Sequence, residues 1–406
     1  MVRSSRVLLA ALVVGTLVGV ETPTAASALP SLLRGPATVG AGGWLSFGNG
    51  PTNQRTNANP TVGPAQAKSL KELWNSFTTA GGVELTTSAV VTNGTVYAGC
   101  EDAVCAVNAR TGALIWTFAT VGQVYASPAL SDGVIYIGDE GAGGGGGSST
   151  MYALNATTGS ELWHTSVPGT TYASANVVDG VVYSGDDTGG KIGGGLDAFN
   201  AASGAGGLKS LVGRGGDDST PAIANGLAYI YASGRLYAFN ATGGKQVWVR
   251  ALGSGIGGSP TVANGLVFVG GSSVVAAFDA STGASRWSIS LPGGLMSTAF
   301  ANNILYVGDV AGGTVYAFNA STGHQLWQTA IKGTVVSSPS VANGVVYFGS
   351  HETFRNSHPQ NYLNAADAST GELLWQHAIP GDTLSFFASP AVANGIIYYG
   401  SYAFGL

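Results

Sequence analysis

The sequence has few charged residues. Lys, Arg, Asp and Glu make up 9% of its 406 residues, whereas an average domain has roughly 25%. The net charge is −5 and no run of basic residues occurs. Binding to nucleic acid or to an anionic membrane surface needs concentrated positive charge. Nucleic acid is therefore excluded from the expected partners.

Cysteine is scarce as well. The two cysteines, Cys100 and Cys105, stand in the stretch GCEDAVC. A structural zinc site needs four ligands, and the C-x-x-C-H pattern of covalent haem attachment is absent. In an oxidising compartment this spacing predicts a disulfide across a turn. No metal site is predicted from the cysteines.

The sequence lacks an apolar run long enough to cross a bilayer. Val7–Val20 has fourteen residues, fewer than the roughly 20 that a helical span needs. Arg3 and Arg6 precede this run, and Ala26–Ala28 is an A-x-A cleavage site. We expect residues 1–28 to be an export signal cleaved near Ala28. The mature protein is then secreted or periplasmic, without membrane insertion and without a lipid anchor, since no cysteine lies near the cleavage site.

Glycine and internal repetition are abundant. The chain has 64 glycines, and the eleven residues AFNASTGHQLW (317–327) recur in seven near-copies. The others are AVNARTGALIW (106–116), ALNATTGSELW (153–163), AFNAASGAGGL (198–208), AFNATGGKQVW (238–248), AFDASTGASRW (277–287) and AADASTGELLW (365–375). Each copy follows a second phrase of the type SSPSVANGVVYFGS (337–350). Such a fixed period predicts a repeat architecture.

Each repeat reads as four short strands. Ala-Asn-Gly and Asn/Asp-Ala-Ser-Thr-Gly are turn sequences between alternating apolar runs. The closing positions, which are tryptophan except at Leu208, are 39 to 48 residues apart, and this period predicts the four-stranded antiparallel blades of a β-propeller. The stretch 388–406 supplies three strands, and LKELWNSF (70–77) a fourth without a blade before it. We therefore expect an all-β, eight-bladed propeller whose N-terminal strand joins the C-terminal blade and closes the ring.

The motif A-x-N/D-x-x-T-G-x-x-x-W resembles the tryptophan-docking motif of quinoprotein-type, PQQ-repeat propellers. WLSFGNGPTNQRTN (44–57) is similar to the lead-in segment of these proteins. The resemblance covers about residues 44–406, with residues 29–69 as lead-in and 70–406 as a single propeller domain. It implies that one tryptophan per blade packs against the neighbouring blade. By motif these are Trp116, Trp163, Trp248, Trp287, Trp327 and Trp375, and by position Trp74.

The family resemblance leaves two functions open. Its dehydrogenases hold PQQ on a tryptophan floor beneath adjacent cysteines, with a Ca²⁺-binding set and an aspartate base. Here seven tryptophans are assigned to docking, Trp44 lies in the lead-in, and four residues separate the cysteines. The BamB-like members share the repeat without this equipment. We therefore favour a monomeric, non-catalytic module that binds a protein or cell-envelope ligand. The alternatives are a PQQ-dependent alcohol or sugar dehydrogenase and a polysaccharide-degrading propeller enzyme.

Functional residues are expected at the channel rim, where the chain enters each first strand. Aromatic and polar groups there suit a small molecule or a peptide; the ligand-binding candidates are Tyr125, Tyr172, Arg214, Met296, Phe386 and Phe387. Candidate acid–base groups are Glu84, Asp217 and Asp218, with solvated loop charges as the alternative. Loop carboxylates such as Asp139 and Glu140 could hold Ca²⁺. Gly-Asp is also ordinary turn chemistry, and no D-x-D-x-D-G spacing occurs.

Overall fold

The computed structural model describes residues 8–13, 43–57, 62–75, 87–141, 148–169, 171–186, 194–212, 219–253, 257–352, 360–379 and 385–403. Before the first blade the chain forms three short strands and one helical turn: β1 (Leu8–Val13), β2 (Thr56–Asn57), α1 (Pro64–Ala67) and β3 (Lys71–Asn75). No helix in the described part of the chain is long and apolar enough to cross a bilayer.

Seven sheets each contain four antiparallel strands that follow one another along the chain. Blade 1 is β4 (Val90–Thr92), β5 (Thr95–Gly99), β6 (Ala103–Asn108) and β7 (Leu114–Ala119). Blade 2 is β8 (Ala129–Ser131), β9 (Val134–Gly138), β10 (Ser148–Asn155) and β11 (Glu161–Pro168). Blade 3 is β12 (Asn176–Val178), β13 (Val181–Asp186), β14 (Gly195–Asn200) and β15 (Gly206–Leu211). Blade 4 is β16 (Ala222–Ala224), β17 (Leu227–Ala232), β18 (Arg235–Asn240) and β19 (Gln246–Ala251).

The remaining blades repeat this order. Blade 5 is β20 (Thr261–Ala263), β21 (Leu266–Gly270), β22 (Val274–Asp279) and β23 (Ser285–Ser290). Blade 6 is β24 (Ala299–Ala301), β25 (Ile304–Asp309), β26 (Thr314–Asn319) and β27 (Gln325–Ala330). After β28 (Thr334–Val335), blade 7 is β29 (Ser340–Ala342), β30 (Val345–Glu352), β31 (Gln360–Asp367) and β32 (Leu373–Ile379). The prediction of an all-β propeller with four-stranded antiparallel blades is confirmed.

The hairpins between first and second strands explain the repeated Asn-Gly. In blade 7, Asn343 and Gly344 have φ of 48° and 79°. Two successive residues with positive φ form the turn whose twist matches that of the flanking strands, and Asn-Gly is its preferred sequence. Second and third strands are buried along most of their length, whereas fourth strands lie at the outer edge and are partly exposed. The core therefore runs between neighbouring blades.

The prediction of eight such blades is wrong, because only seven consist of consecutive strands in the described chain. An eighth sheet joins the two ends of the described chain in the order β3-β1-β35, with β33 (Ser385–Phe387) and β34 (Ala391–Ala393) both paired to β35 (Ile396–Ala403). The C-terminal stretch does not fold back into a third strand, since β35 continues straight to Ala403. Leu8–Val13 takes the third position, and the strand that carries Trp74 takes the fourth.

Docking between sheets follows one pattern. The tryptophan indole donates a hydrogen bond to the carbonyl of the alanine just after the third strand of the next blade. The pairs are Trp74–Ala109, Trp116–Ala156, Trp163–Ala201, Trp248–Ala280, Trp287–Ala320 and Trp327–Ala368, at 2.8 to 3.1 Å. A tyrosine of the second strand often donates to the same carbonyl, as Tyr306 does to Ala368 at 3.1 Å. The glycine of the Thr-Gly turn lies against the indole, where a side chain would not fit.

Candidate functional site

The lead-in, residues 44–57, lies against the inner strands of the propeller. Backbone N–H groups of six first strands donate to its carbonyls; the pairs are Val91–Trp44, Leu130–Leu45, Ile223–Pro51, Val262–Thr52, Phe300–Gln54 and Val341–Arg55. The Asn176 side chain of blade 3 donates to the Asn53 side chain of the lead-in at 2.9 Å. Asn57 donates to the Val392 carbonyl of the eighth sheet at 2.8 Å. The lead-in thus bonds to every sheet and satisfies inner backbone groups that would otherwise face the channel.

Two buried side chains fix the lead-in at the centre. Asn53 donates to the carbonyls of Thr220 and Pro260, at 2.9 and 3.2 Å. The fully buried Arg55 donates to the Pro339 carbonyl at 2.8 Å and to the Ser340 hydroxyl at 3.0 Å. Its guanidinium also lies 4.4 Å from the centre of the Phe47 ring. Burial lowers the pKa of Arg55 to about 9.

Tyr125 and Tyr172 form an aromatic pair at the rim of blades 2 and 3, which we call the tyrosine pair. Their ring centres are 5.6 Å apart and tilted by 54°. The Tyr172 hydroxyl donates to Glu140 at 3.3 Å, and the Tyr125 hydroxyl donates to the Gln123 side chain. All four residues are half-buried. The pair therefore presents aromatic surface and a carboxyl group side by side.

The Glu140 carboxyl has an unusual electrostatic environment. Burial raises its pKa, the Tyr172 hydrogen bond opposes this rise, and the negative charges of Asp102 and Asp139 add to it. A carboxylate in such surroundings is stabilised by any positive group that approaches it. The tyrosine faces would attract the same group by cation–π interaction. The arrangement suits a ligand that presents a cationic or hydrogen-bonding group next to apolar surface.

Asp139, beside Glu140, has a structural role. Its fully buried carboxylate accepts hydrogen bonds from five groups of the surrounding loops, at 2.8 to 3.1 Å: the N–H groups of Val121, Gly122, Gly141 and Thr150 and the Tyr152 hydroxyl. These bonds use its lone pairs, as the turn interpretation of Gly-Asp predicts. Among the described residues no group of three or more His, Cys, Asp or Glu side chains is placed to hold a metal ion.

The other predicted site residues do not join this cluster. Met296 is half-buried on blade 6, where its N–H donates to the Gly308 carbonyl at 3.1 Å. Phe386 and Phe387 belong to β33 and pair with Tyr402 and Ser401 of β35. Glu84, Arg214, Asp217 and Asp218 lie outside the described residues. Their roles remain predictions.

Sequence reasoning missed part of the site. Gln123 and Glu140 were not assigned to the rim. Gln123 stands two residues before Tyr125, and Glu140 stands two residues after the end of β9. The buried hub at Asn53 and Arg55 was missed too. Its available signal was one arginine in a stretch otherwise free of charge, inside a chain that is only 9% charged. A charge in an apolar, low-charge sequence indicates a specific set of partners.

A second depression lies at the hairpin end of blades 1 and 2. Its volume is about 510 Å³, and its lining includes Thr92, Asn93, Ile115, Ser131 and Asp132. The Ile115 side chain is half exposed there. The lining also includes the aromatic residues Tyr97 and Trp116, whose ring centres are 5.9 Å apart.

The described residues do not fit PQQ as the family's dehydrogenases hold it. Six of the tryptophan indoles are engaged at blade junctions, Trp375 stacks on His377, and Trp44 is buried in the lead-in. None is left to form a floor in the channel. The predicted disulfide between Cys100 and Cys105 is confirmed, with 6.0 Å between the Cα atoms. It links the residue after β5 to a residue within β6 of the same hairpin and is not a ring of adjacent cysteines.

The repeated blades, the tryptophan junctions and the lead-in together define a PQQ-like β-propeller. The chain belongs to the family described as outer membrane protein assembly factor BamB, whose profile matches residues 59–206, 193–272 and 271–403. No curated protein sequence matches the chain.

Solved structures with the same fold include both functional kinds. BamB from Moraxella catarrhalis is 18% identical with a TM-score of 0.59, over 79% of this chain and 96% of that chain. The quinohemoprotein alcohol dehydrogenase ADHIIG from Pseudomonas putida HK5 is 15% identical with a TM-score of 0.69, over 90% of this chain and 76% of that chain. A europium-containing methanol dehydrogenase is 14% identical with a TM-score of 0.64, over 89% of this chain and 98% of that chain. At these identities the likeness concerns the fold alone.

Proposed function

We propose that this protein is an exported, non-catalytic binding module, and that its ligand is a protein segment with a basic side chain. The observation that carries the proposal is the tyrosine pair with the Glu140 carboxyl beside it. The lead-in occupies the centre of the inner strands, so recognition falls to the rim. Lys or Arg would meet Glu140 and the ring faces together.

The test is a selection of displayed random peptides on the purified protein. Peptides that contain Lys or Arg should be enriched, and Glu140→Gln should weaken their binding about tenfold, since a charged hydrogen bond is lost. Glu352→Gln is the matched control, because Glu352 also accepts a tyrosine hydroxyl, from Tyr362 at 3.4 Å, but without an aromatic pair. Equal losses for both variants, or no basic preference, would refute the proposal.

A PQQ-dependent dehydrogenase is the second candidate, favoured by the fold likeness to two dehydrogenases. Titration with PQQ, with and without Ca²⁺, decides between them by tryptophan fluorescence. Saturable micromolar binding that requires Ca²⁺ would establish the cofactor site and direct mutagenesis to Glu84, Asp217 and Asp218. Unchanged tryptophan fluorescence would argue against a PQQ site and favour the non-catalytic binding module.

We also propose that the eighth sheet closes the ring between blade 7 and blade 1. Trp74 and Tyr398 of this sheet both donate to the Ala109 carbonyl of blade 1, at 3.1 and 3.4 Å. The Ser389 N–H donates to the Ser88 hydroxyl at 2.8 Å, as inner serines of other neighbouring blades do. Trp74→Ala should then speed hydrogen exchange in β4–β6. Unchanged exchange there would refute closure.

Export and a monomeric state complete the proposal. The exported protein should begin near Leu29 by N-terminal sequencing, and it should elute as a single chain in size-exclusion chromatography. An intact N-terminus after export, or a dimer at micromolar concentration, would contradict this part.

A further inference from the structure

The third strand of the eighth sheet comes from the segment that export would remove. Leu8–Val13 pairs antiparallel with β35 over six residues, from Leu8 opposite Ser401 to Val13 opposite Ile396. Its other edge pairs with β3, from Ala10 opposite Asn75 to Val13 opposite Lys71. Cleavage near Ala28 would therefore take away a central strand and leave β35 and β3 facing one another across its place.

The register of β1 is that of a true third strand. In blade 6 the third-strand Ala317 stands opposite Tyr306 on one side and Trp327 on the other, and a bulge follows it. In the eighth sheet Ala11 stands opposite Tyr398 and Trp74, again followed by a bulge. Register is specified where a strand has a buried face, and the corresponding Ala317 of blade 6 is fully buried. The position therefore selects an extended segment with a small residue at one fixed place.

Both walls of this place are held by other contacts. Trp74 on β3 and Tyr398 on β35 are each hydrogen-bonded to Ala109 of blade 1. β35 is also paired with β33 and β34, and Glu72 on β3 lies 3.4 Å from His377 of blade 7. Removing β1 would thus leave two strand edges about 10 Å apart, the width of one missing strand. Unpaired edges of this kind accept an added strand.

An unsatisfied hydroxyl marks the same junction. Tyr347 of blade 7 corresponds to Tyr306 of blade 6, whose hydroxyl reaches an alanine carbonyl after the next third strand. The Tyr347 hydroxyl is fully buried and has no hydrogen-bond partner among the described residues. Trp375 likewise stacks on His377, 5.4 Å between ring centres, instead of donating to a carbonyl in the described chain.

We infer that the eighth sheet is a strand-acceptor site, at which an extended apolar segment of a partner protein adds antiparallel to β35 once the leader is gone. The segment has a small residue at the Ala11 position. The inference rests on the proposed export and not on the tyrosine pair.

Donors within the chain are disfavoured. The segments with the same pattern are the third strands, each buried in its own blade, so a second copy would have to open a blade to lend one. Residues 29–42 contain Pro30 and Pro36, which leave too short a run between them for a six-residue central strand.

The test uses the full chain with a specific protease site in place of Ala26–Ala28. After folding and cutting, the N-terminal fragment should stay bound in size-exclusion chromatography, and a synthetic peptide of residues 6–14 should displace it. Ala11→Leu should weaken retention about tenfold or more, because the alanine at the corresponding place in blade 6, Ala317, is fully buried and a larger side chain there would be overpacked. Ala10→Leu is the matched control, since Tyr152, Tyr237 and Tyr316 occupy the corresponding place in other blades.

Three outcomes would overturn the inference. The first is that the fragment is released on cutting without faster amide exchange in β35, which would mean that no strand position was vacated. The second is equal retention of both variants, which would mean that no register is selected. The third is dimerisation of the cut protein, which would mean that a second copy and not a partner fills the site. Because Glu140→Gln does not touch this sheet, failure here is separate from failure of the rim proposal.

Discussion

Where the eighth sheet meets blade 1, Trp74 and Tyr398 both donate to the Ala109 carbonyl. Where blade 7 meets the eighth sheet, Trp375 and Tyr347 reach no such carbonyl in the described chain. The donors are the same residue types at both junctions, so the difference lies in the acceptor. A docking junction therefore needs two parts, a tryptophan on one sheet and an alanine-containing turn after the third strand of the next.

The junction between blades 3 and 4 is intermediate. Blade 3 carries Leu208 in place of the tryptophan, yet Tyr183 still donates to the Ala241 carbonyl of blade 4 at 3.3 Å. At the blade 7 junction, α1 lies beside the hairpin of β29 and β30, with Pro64 near Gly344. Lys68, next to α1, pairs with Glu372 at 3.7 Å. Helix α1 thus covers part of the place that a repeat turn would take.

The largest effect is expected from the indoles. Trp327→Ala should lower the free energy of unfolding by about 3–5 kcal/mol, the usual loss for an emptied buried aromatic site. Trp375→Ala should cost markedly less, since this partly exposed ring makes no indole–carbonyl bond within the described residues. Urea unfolding measures both. Equal losses would refute the two-part account of docking, and a loss below about 1 kcal/mol for Trp327→Ala would refute burial between blades.

The turn glycines give the next largest effect. At Gly112, φ is 68° and an added Cβ would lie 2.6 Å from the Trp74 ring. Gly112→Ala should destabilise by about 2–4 kcal/mol through backbone strain and overpacking together. Gly94→Ala in the same blade is the control: its φ is 76° but nothing lies within 4 Å. Similar losses for both would leave strain alone as the cause.

Much of the fold could be predicted from the sequence because seven copies repeat one pattern. The turn residues, the strand alternation and the tryptophan spacing each point to four-stranded blades, and local and global preferences agree. The eighth sheet could not be predicted in the same way. Its third strand, Leu8–Val13, is more than 380 residues from β35, one of the two strands it pairs with, and its sequence also reads as a leader.

A smaller effect is expected at alkaline pH. Burial raises the pKa of Tyr229 to about 12, and it raises the pKa of Tyr306 and Tyr398 further. Since these folded pKa values lie above the ordinary 10.0, their contribution to stability is complete below pH 10 and is lost as the pH rises through the folded values. Thermal unfolding should show a falling midpoint above pH 10, and Tyr306→Phe should reduce the fall.

Arg55 acts in the opposite direction over the same range. Its folded pKa, lowered to about 9 from 12.5, lets the folded state release a proton before the unfolded state does. Stability from this group therefore rises with pH across that interval. Because several tyrosines lose stabilisation in this pH range and only one arginine gains it, the net stability should fall as the pH rises. A rising midpoint between pH 9 and pH 11 would contradict this balance.

The candidate site was less predictable than the fold. Tyr125 and Tyr172 were expected at the rim and lie together, because equivalent positions of neighbouring blades are adjacent in a ring. Glu140 was assigned to a loop and not to this pair, since its direction depends on the turn that Asp139 holds. Periodicity places residues on blades, but it does not tell which way a loop side chain points.

The smallest effect separates the two junctions most sharply. Tyr306→Phe removes a hydroxyl that bonds the Ala368 carbonyl, and it should cost about 1 kcal/mol, the net value of such a bond. Tyr347→Phe removes a buried hydroxyl that has no partner in the part of the chain that the structure describes, so it should be neutral or stabilising, because an unpaired polar group is destabilising when buried. Urea unfolding of the two variants in parallel checks the sign. Destabilisation by Tyr347→Phe as large as that by Tyr306→Phe would mean that the blade 7 junction has an acceptor after all, and the strand-acceptor site would lose its second support.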